Sequence, residues 1–280
     1  MMATHTTYHR LPLKRLLPRR IFPPRLQPGF TLVELTIVLL IVSILMGGMM
    51  AMLSTQVDQR NWTDTQTRLE AARDAILGYA IANGRLPCPA NSNSAGAEVQ
   101  VNGVCGASGN TYDYYGGVVG SVTYGLMPAV TVGYQPVDTQ GFAVDAWGNR
   151  IRYAVSRVTT PTTTSANFTN KANLKTSGVT VLPNDLVVCA SISAGSCGPT
   201  TNSVTNQSTV VAILYAPGKN GRGQLGDEAA NENPAGANDA VFISHPPTPV
   251  GAPGGEFDDQ VLWISVGTLY SKLIAAGVLP

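Results

Sequence analysis

Residues 29–53 of this chain read GFTLVELTIVLLIVSILMGGMMAML, and this stretch decides the fold. The run from Leu35 to Leu53 contains 19 residues and no charged side chain. Because about 20 consecutive apolar residues are enough to cross a bilayer as a helix, the run predicts a membrane-spanning helix. A single carboxylate, that of Glu34, stands at its amino-terminal entrance.

The residues before this run are positively charged. The whole chain of 280 residues has 18 basic and 17 acidic residues and a net charge of +1. Positions 1–29 hold six of the basic residues and no acid, so the remaining 12 basic and 17 acidic residues leave a net charge of −5 on residues 30–280. The six are Arg10, Lys14, Arg15, Arg19, Arg20 and Arg25. Since basic flanks stay on the cytoplasmic side of a membrane, the amino terminus is expected inside and the rest outside.

A secretory signal peptide is the alternative explanation of a basic segment followed by an apolar run. Such a peptide is cut after small residues, which Ser43 or Gly47–Gly48 could supply. Its apolar region, however, usually has only about 7–15 residues. The length of the run therefore favours a helix that the protein retains.

The sequence GFTLVE at residues 29–34 resembles the processing site of type IV prepilins and type II secretion pseudopilins. The resemblance implies cleavage after Gly29 by a membrane prepilin peptidase and methylation of the new amine of Phe30. It also implies that Glu34 pairs with the amino terminus of a neighbouring subunit. A carboxylate at membrane depth costs at least about 2 kcal/mol without a cationic partner, which gives this pairing a physical reason. The alternative is that Glu34 lies at the headgroup boundary and needs no partner.

The resemblance implies a structural subunit, not an enzyme, of a type IV pilus or a type II secretion pseudopilus. Its implied place is the inner membrane, with a single pass, a cytoplasmic amino terminus and a periplasmic head. Its implied partners are prepilin peptidase, other pilin or pseudopilin subunits, the inner-membrane assembly platform and membrane lipid. Because a large head crowds its neighbours in a helical filament, a minor subunit is favoured. The alternatives are a membrane-anchored periplasmic binding protein that is not built into a filament, and a secreted enzyme.

The helical pattern continues beyond the apolar run. No proline occurs before Pro87, which together with Gly84 marks the end of a helix predicted over residues 30–83. One amphipathic stripe is formed by Leu69, Ala72, Ile76 and Ala80. The predicted organisation is a leader at 1–29, a transmembrane and assembly half of the helix at 30–53, its amphipathic half at 54–86, and a globular periplasmic head at 87–280.

Short alternating runs bounded by turn residues predict strands in the head. The runs are Val118–Thr123, Ile151–Arg157, Asp185–Ala190, Val210–Tyr215 and Val241–Ser244. The tail Asp259–Gly277 has helical spacing and predicts a helix that covers a sheet. The predicted fold class is α+β, with a long N-terminal α-helix packed on a C-terminal antiparallel β-sheet head.

A turn motif, DAWGN at residues 145–149, resembles the Asp-Pro-Trp-Gly turn of major pseudopilins, with Ala146 in place of the proline. A glycine flanked by Asp or Asn, as Gly148 is by Asn149, favours a tight turn. The large side chain of Trp147 is expected to anchor the turn to the sheet. An ordinary turn with a core tryptophan accounts for the same residues.

The chain has four cysteines, Cys88, Cys105, Cys189 and Cys197. They form no CxxC pair and have no histidine at zinc-ligand spacing, so a zinc site is not expected. In an exported domain they are expected to form disulfides. Pairing between sequence neighbours is the natural choice, although four cysteines allow three connectivities.

Acidic residues concentrate near the carboxyl terminus, in a stretch over residues 227–259 that contains no Lys or Arg. Hard oxygen ligands on glycine-rich loops suit Ca²⁺, and the resemblance adds that major pseudopilins bind calcium in a comparable loop. The candidate ligands are Asp227, Glu228, Asp239, Asp258 and Asp259. A solvated acidic face is the alternative, and no cofactor is expected to be required.

Catalytic and nucleic-acid-binding functions find little support in the sequence. His245 is the only histidine after the leader, and the two prolines that follow it favour an exposed loop over a catalytic triad. The glycine–lysine pair at Gly218 lacks the spacing of a phosphate-binding loop. Residues 30–280 have a net negative charge and no basic run, so no nucleic acid partner is expected.

Overall fold

A computed structural model describes the chain over residues 29–106, 110–159, 164–165, 168–177, 185–192, 196–198, 202–206, 208–221, 223, 226–233, 240–252 and 254–279. Within these ranges, the side chains of residues 48–54, 158–159, 164–165 and 176–177 lie outside the description. The chain forms two compact units, Met1–Leu53 and Ser54–Pro280.

The first helix, α1, runs from Leu32 to Asn83 and confirms the long helix that the sequence predicts. Its start is set by Thr31, whose Oγ1 accepts a hydrogen bond from the Glu34 N–H at 3.2 Å. This bond satisfies one of the backbone donors that the first turn leaves free. The Thr-x-x-Glu spacing is that of a capping box.

No helix in the described part of the chain is long and apolar enough to cross a membrane. The membrane-spanning helix predicted at residues 30–53 is therefore not confirmed. The side chains of its last residues, 48–53, lie outside the described part of the chain.

The predicted stripe of α1 is buried in the second unit. Leu69, Ala72, Ile76 and Ala80 are each at most 2% exposed, and they belong to the same apolar core as the central strands. The helix ends at Gly84, which takes a left-handed φ of +69°. Its N–H donates to the Ala80 carbonyl at 2.8 Å, so the glycine closes the last turn.

After α1, the second unit is built from short strands and helices. The strands are β1 (Gln100–Val101), β2 (Val104–Cys105), β3 (Gly117–Val119), β4 (Val122–Tyr124), β5 (Arg152–Val155), β6 (Val158–Thr159), β7 (Thr164–Ser165), β8 (Val187–Cys189), β9 (Val210–Ala216), β10 (Val241–Ile243) and β11 (Gln260–Ser265). The helices are α2 (Tyr112–Tyr115), α3 (Ala129–Val132), α4 (Lys171–Ser177), α5 (Gly226–Asn231) and α6 (Val266–Ala275).

A three-stranded antiparallel sheet in the order β11-β9-β5 forms the centre of this unit. The middle strand, β9, has all of its residues buried. Its register pairs Leu214 with Tyr153 of β5 and with Leu262 of β11. An α-helix packed on an antiparallel sheet confirms the predicted α+β class.

The tail of the chain differs from its prediction. Residues 260–265 form β11 and only Val266–Ala275 form a helix, so the continuous helix predicted over Asp259–Gly277 is wrong. Pairing with the buried strand β9 overrides the local helical spacing of these residues. Ser265 then caps α6, its Oγ accepting from the Thr268 N–H at 3.1 Å.

Two further strand predictions need correction. β8 and β10 pair in parallel, with Val188 opposite Phe242, so the head is not wholly antiparallel. The single strand predicted over Val118–Thr123 is the hairpin β3–β4. Gly120 takes a φ of +60° between the two strands, which a continuous strand does not allow.

Both disulfides join sequence neighbours. The structure links Cys88 to Cys105 and Cys189 to Cys197, in each case with Cα atoms 5.3 Å apart. The first disulfide ties the segment that follows α1 to strand β2 inside the main apolar core. The second lies beside the β8–β10 pair.

Candidate functional site

The amino-terminal site consists of an open chain segment followed by the first turn of α1. Gly29 and Phe30 precede the helix, and a Cβ built on Gly29 would meet no atom within 4 Å. Phe30 is 81% exposed. The backbone at this point is therefore accessible to a protease. Glu34 lies in the first turn, where the positive end of the helix dipole favours a carboxylate.

The apolar side chains after Glu34 are uncovered in the first unit. Each of ten is at least 41% exposed: Leu35, Ile37, Val38, Leu39, Leu40, Ile41, Val42, Ile44, Leu45 and Met46. The hydroxyls of Thr36 and Ser43 donate back to the helix, to the carbonyls of Val33 and Leu39. A contiguous apolar surface of this kind marks a contact with lipid or with another protein.

The acidic cluster predicted near the carboxyl terminus is partly assembled. Three carboxylate oxygens, one each from Glu228, Asp258 and Asp259, lie within 4.8 Å of one another. Glu228 is on α5, and Asp258 and Asp259 directly precede β11. Asp239 lies outside the described residues. Asp227 lies apart from the cluster, because consecutive residues of a helix point about 100° apart.

Hydrogen bonds from neighbouring groups orient this cluster, but one carboxylate oxygen has no hydrogen-bond partner among the described residues. Glu228 accepts from the Asp258 N–H and from Asn220 Nδ2, each at 2.8 Å. Asp258 Oδ2 accepts from the N–H groups of Lys219 and Asn220 at 2.8 and 3.2 Å. Asp258 Oδ1 is buried and has no hydrogen-bond partner among the described residues. The cluster therefore retains an unsatisfied, buried acceptor.

Burial raises the pKa of all three carboxyl groups of the cluster. The pKa of Asp259 lies well above its usual value because the group is buried and because Glu228, Glu232 and Asp258 are negative neighbours. A hydrogen bond from Asn231 Nδ2 at 2.7 Å opposes this shift. A cation bound among the carboxylates would offset both the burial and the repulsion.

His245 is not the exposed loop residue that the sequence predicts. Its ring stacks on Phe257 with the centroids 3.9 Å apart, and its side chain is only 18% exposed. Its Nε2 lies 3.4 Å from Asp227 Oδ2. Ser191 Oγ donates to Oδ1 of the same carboxylate at 3.2 Å. The aspartate thus lies between serine and histidine, whereas a catalytic triad needs the histidine in the middle.

In the turn at residues 145–149 the buried residue is the aspartate. Asp145 is 1% exposed, and its Oδ1 accepts from the N–H groups of Trp147 and Asn149 at 2.9 and 2.8 Å. Trp147 is half-buried and does not belong to the described apolar core clusters, so its predicted role as an anchor is not confirmed.

Two residues of α1 fasten this turn. Thr65 Oγ1 accepts from the Ala146 N–H at 3.0 Å. The Arg68 guanidinium donates to the carbonyl oxygens of Val144 and Asp145 at 3.2 and 2.6 Å. Three residues apart on a helix, the two side chains share one face. Sequence reasoning missed both, since a polar residue that serves a loop far along the chain carries no local signal.

The buried carboxyl of Asp145 predicts a pH dependence of stability. Burial raises its pKa from 3.8 to about 6, against the opposing hydrogen bonds from Asn149, Trp147 and Gly148. Folding therefore favours the protonated form of Asp145. The stability that this preference contributes is fully present below pH 3.8 and is lost as the pH rises through 6. Between pH 4 and 7 the free energy of unfolding of the native chain is expected to fall relative to Asp145→Asn by about 2 kcal/mol, as measured by urea unfolding.

Asp138→Asn serves as the control with the opposite sign. Burial alone would raise the pKa of Asp138, but hydrogen bonds from the Phe142 N–H and the Arg150 guanidinium hold it below its usual value. Relative to this variant, the native chain should gain stability as the pH rises through the acid range. Parallel pH profiles for the native chain and Asp145→Asn would contradict the role assigned to Asp145.

Comparison with protein-family models finds a match at the amino-terminal site. The family model of the prokaryotic N-terminal methylation motif matches residues 24–50, a range that contains Gly29, Phe30 and Glu34. The chain carries this motif, which is the signature of the type IV pilin and pseudopilin family. No curated protein and no solved structure matches the chain.

The motif supports a type IV pilin-like or pseudopilin-like subunit. The family is structural and not catalytic, which agrees with the expectation of a non-enzyme. The motif implies processing by prepilin peptidase and assembly with other pilin subunits. It also suggests a protein that is first anchored in a membrane and then assembled into a filament.

Proposed function

We propose that this chain is a minor pilin or minor pseudopilin, a structural subunit of a type IV pilus or a type II secretion pseudopilus. The observation that carries the proposal is the methylation motif over residues 24–50, followed by the uncovered apolar side chains of α1. Cleavage after Gly29 makes Phe30 the new amino terminus. Residues 30–53 anchor the subunit in the inner membrane, with the head in the periplasm, until the assembly platform adds it to the filament.

The geometry of the first turn supports pairing between subunits. The Thr31 cap fixes the start of α1 and leaves the Glu34 side chain exposed. A lone charge in an apolar environment costs about 2.5–3.5 kcal/mol. The amine created at Phe30 and the carboxylate of a neighbouring Glu34 offset this cost for each other, while the apolar side chains of adjacent helices cover one another.

The prediction that tests this proposal concerns the mature amino terminus. Isolated from cells that contain prepilin peptidase, the native chain is expected to begin with N-methylated Phe30, as read by mass spectrometry of its amino-terminal peptide. A Gly29→Glu chain should keep its leader, because a long charged side chain replaces the small residue at the cleavage position. Gln27→Glu, which adds the same side chain two positions earlier, should still be processed.

The other outcomes separate the alternatives. A cut beyond residue 43 would identify a secretory signal peptide and contradict the proposal. An intact leader in the native chain would also contradict it and would favour a membrane-anchored periplasmic binding protein that is not built into a filament.

We further propose that Glu228, Asp258 and Asp259 bind Ca²⁺. Three converging carboxylates supply the hard oxygen ligands that this ion prefers. The buried Asp258 Oδ1 without a hydrogen-bond partner among the described residues is an acceptor that a cation would satisfy. Burial, and after it the neighbouring negative charges, raises the pKa values of the cluster, and a cation would offset both. When bound, calcium would stabilise the link between α5 and the start of β11.

Thermal unfolding tests this calcium site. Calcium at about 100 times its Kd stabilises a protein by about 2.7 kcal/mol, so Tm is expected to rise by about 5–10 °C over that in EGTA. Asp258→Asn should abolish the rise. Asp227→Asn, a neighbouring acid that lies outside the cluster, should preserve it. A Tm that is the same in EGTA and in millimolar calcium would contradict the proposal.

A further inference from the structure

The two edges of the three-stranded sheet differ. Outside β5, the segment Gly125–Met127 continues the pairing: the Tyr153 N–H donates to the Gly125 carbonyl at 2.9 Å, and the Met127 N–H donates to the Ile151 carbonyl at 3.1 Å. Outside β11, no described residue forms a backbone hydrogen bond with the strand. In the described part of the chain, the sheet therefore has one covered edge, and its other edge is open along Gln260–Ser265. Just before that strand, Phe257 exchanges backbone hydrogen bonds with Thr248.

The hydrogen-bond phase of β9 shows which groups of β11 point outward. The Ser156 N–H donates to the Val211 carbonyl at 2.8 Å, so the odd-numbered residues of β9 bond toward β5 and the even-numbered ones toward β11. The register places Leu262 opposite Leu214, which directs the Leu262 backbone inward. The N–H and C=O groups on either side of Leu262, those of Val261 and Trp263, consequently point away from the sheet.

These four backbone groups are placed to pair with another polypeptide. None of them forms a hydrogen bond with another described residue. Val261 and Trp263 lie two positions apart, so their donors and acceptors repeat at about 6.8 Å along the edge. Another extended chain presents the same repeat, which is why open edges pair with added strands.

A cavity of about 210 Å³ lies beside this edge, between α1 and β11. Its apolar lining includes Trp62, Leu69 and Leu262. It is smaller than the 300–1,000 Å³ or so of a typical small-molecule pocket, and it suits a single inserted side chain. Gln260 Nε2 donates to the Trp62 carbonyl at 3.0 Å and fastens the start of β11 to the helix here.

The charge of the cavity specifies that side chain. Glu70 contributes an exposed carboxylate to its lining, Asp259 lines it with a buried carboxyl group, and no Lys or Arg is among the described lining residues. His245, which also lines the cavity, has Asp227 as its own neighbour. A lysine or arginine can lay its methylene groups on apolar walls while its cation reaches a carboxylate at the rim.

We propose that the outer edge of β11 is a docking site for an extended segment of another polypeptide, which adds as a fourth strand and inserts a lysine or arginine side chain into the cavity. Pairing with the backbone of Val261 and Trp263 supplies affinity, and the acid-lined cavity selects the inserted residue. This surface goes beyond the filament role, and its test does not depend on cleavage after Gly29.

The test uses the full chain in detergent micelles with EGTA, which keeps calcium away from Asp259. The probe is a short synthetic peptide of alternating Thr and Val with a central Lys. Hydrogen exchange resolved to single amides should be fast at Val261 and Trp263 in the free chain and at least about tenfold slower with saturating peptide. A peptide with a central Glu should bind about tenfold more weakly, and one N-methylated along its pairing edge should not protect these amides.

Two variants separate strand addition from other kinds of binding. Val261→Pro removes an outward N–H that β9 does not use, and prolines are tolerated at such edge positions. This variant should keep its Tm and lose binding, whereas Leu262→Pro should lower Tm because it removes an inward ladder bond. Glu70 lies on the exposed surface of α1. Glu70→Lys should lower the affinity for the Lys peptide and raise the affinity for the Glu peptide. The affinities of Glu70→Gln for both peptides should lie between those of the native chain and Glu70→Lys.

Three results would overturn the proposal. Slow exchange at Val261 and Trp263 in the free chain would mean that the chain covers its own edge. Unchanged exchange with saturating Lys peptide would mean that no strand is added. If folded Val261→Pro binds the peptide as well as the native chain does, the peptide binds elsewhere. If the proline variant does not fold, undiminished binding of the Lys peptide by Glu70→Lys has the same meaning.

Discussion

A Glu34→Leu chain is expected to be cleaved after Gly29 like the native chain but to be depleted about a hundredfold from filaments. The leucine lengthens the apolar surface and leaves the processing sequence before it intact. It removes the carboxylate that offsets the amine of a neighbouring subunit, and an uncompensated charge in an apolar environment costs about 2.5–3.5 kcal/mol. At 1.4 kcal/mol for each tenfold change, that cost corresponds to a factor of about one hundred.

The measurement compares the native and variant chains in the same cells. Isotope-labelled peptides unique to each chain give their ratio in sheared filaments and in the membrane fraction. Thr36→Leu is the matched control, because the Thr36 hydroxyl bonds only to its own helix, at the Val33 carbonyl. Equal incorporation of the Glu34→Leu and native chains would show that Glu34 does not contribute to assembly.

An Ala72→Asp chain is expected to lose its folded head. Ala72 is fully buried in the core between α1 and the sheet. A carboxylate there would be desolvated without a cation, which costs several kcal/mol and is comparable with the 5–15 kcal/mol or so of total stability of a typical domain. The helix propensity of aspartate contributes only a small part of this loss, about 0.7 kcal/mol at most.

The adjacent alanine provides the control for this variant. Ala71 is exposed on the same helix, so Ala71→Asp carries the same change of charge and helix propensity without the burial. Its free energy of unfolding should lie within about 1 kcal/mol of that of the native chain. Near-ultraviolet circular dichroism and urea unfolding distinguish the two variants. Equal destabilisation by both would mean that the stripe does not form the core contact.

The sequence predicted those features that depend on neighbouring residues. The spacing of Leu69, Ala72, Ile76 and Ala80 identified the buried face of α1, because helical periodicity repeats within a few residues. The GFTLVE pattern at residues 29–34 pointed to the site at which the methylation motif is found, because every residue of that site lies within six consecutive positions.

Features that depend on distant pairing escaped prediction. The tail reads as a helix in isolation, but residues 260–265 form a strand because β9 provides a buried partner. The acids Asp227 and Glu228 are adjacent in sequence, yet one approaches His245 and the other joins Asp258. Trp147 was expected to anchor its turn, whereas Thr65 and Arg68 hold that turn through polar contacts with its backbone.

By itself, therefore, the sequence determined a long helix with a processing motif at its start and one buried face near its end. These properties follow from composition and spacing along a single element. Only the tertiary structure decided which edge of the sheet is open, which carboxylates converge and which residues hold the turn. The physical reason is that hydrogen-bond phase and side-chain convergence are set by register between segments far apart in the chain, on which local propensity carries no information.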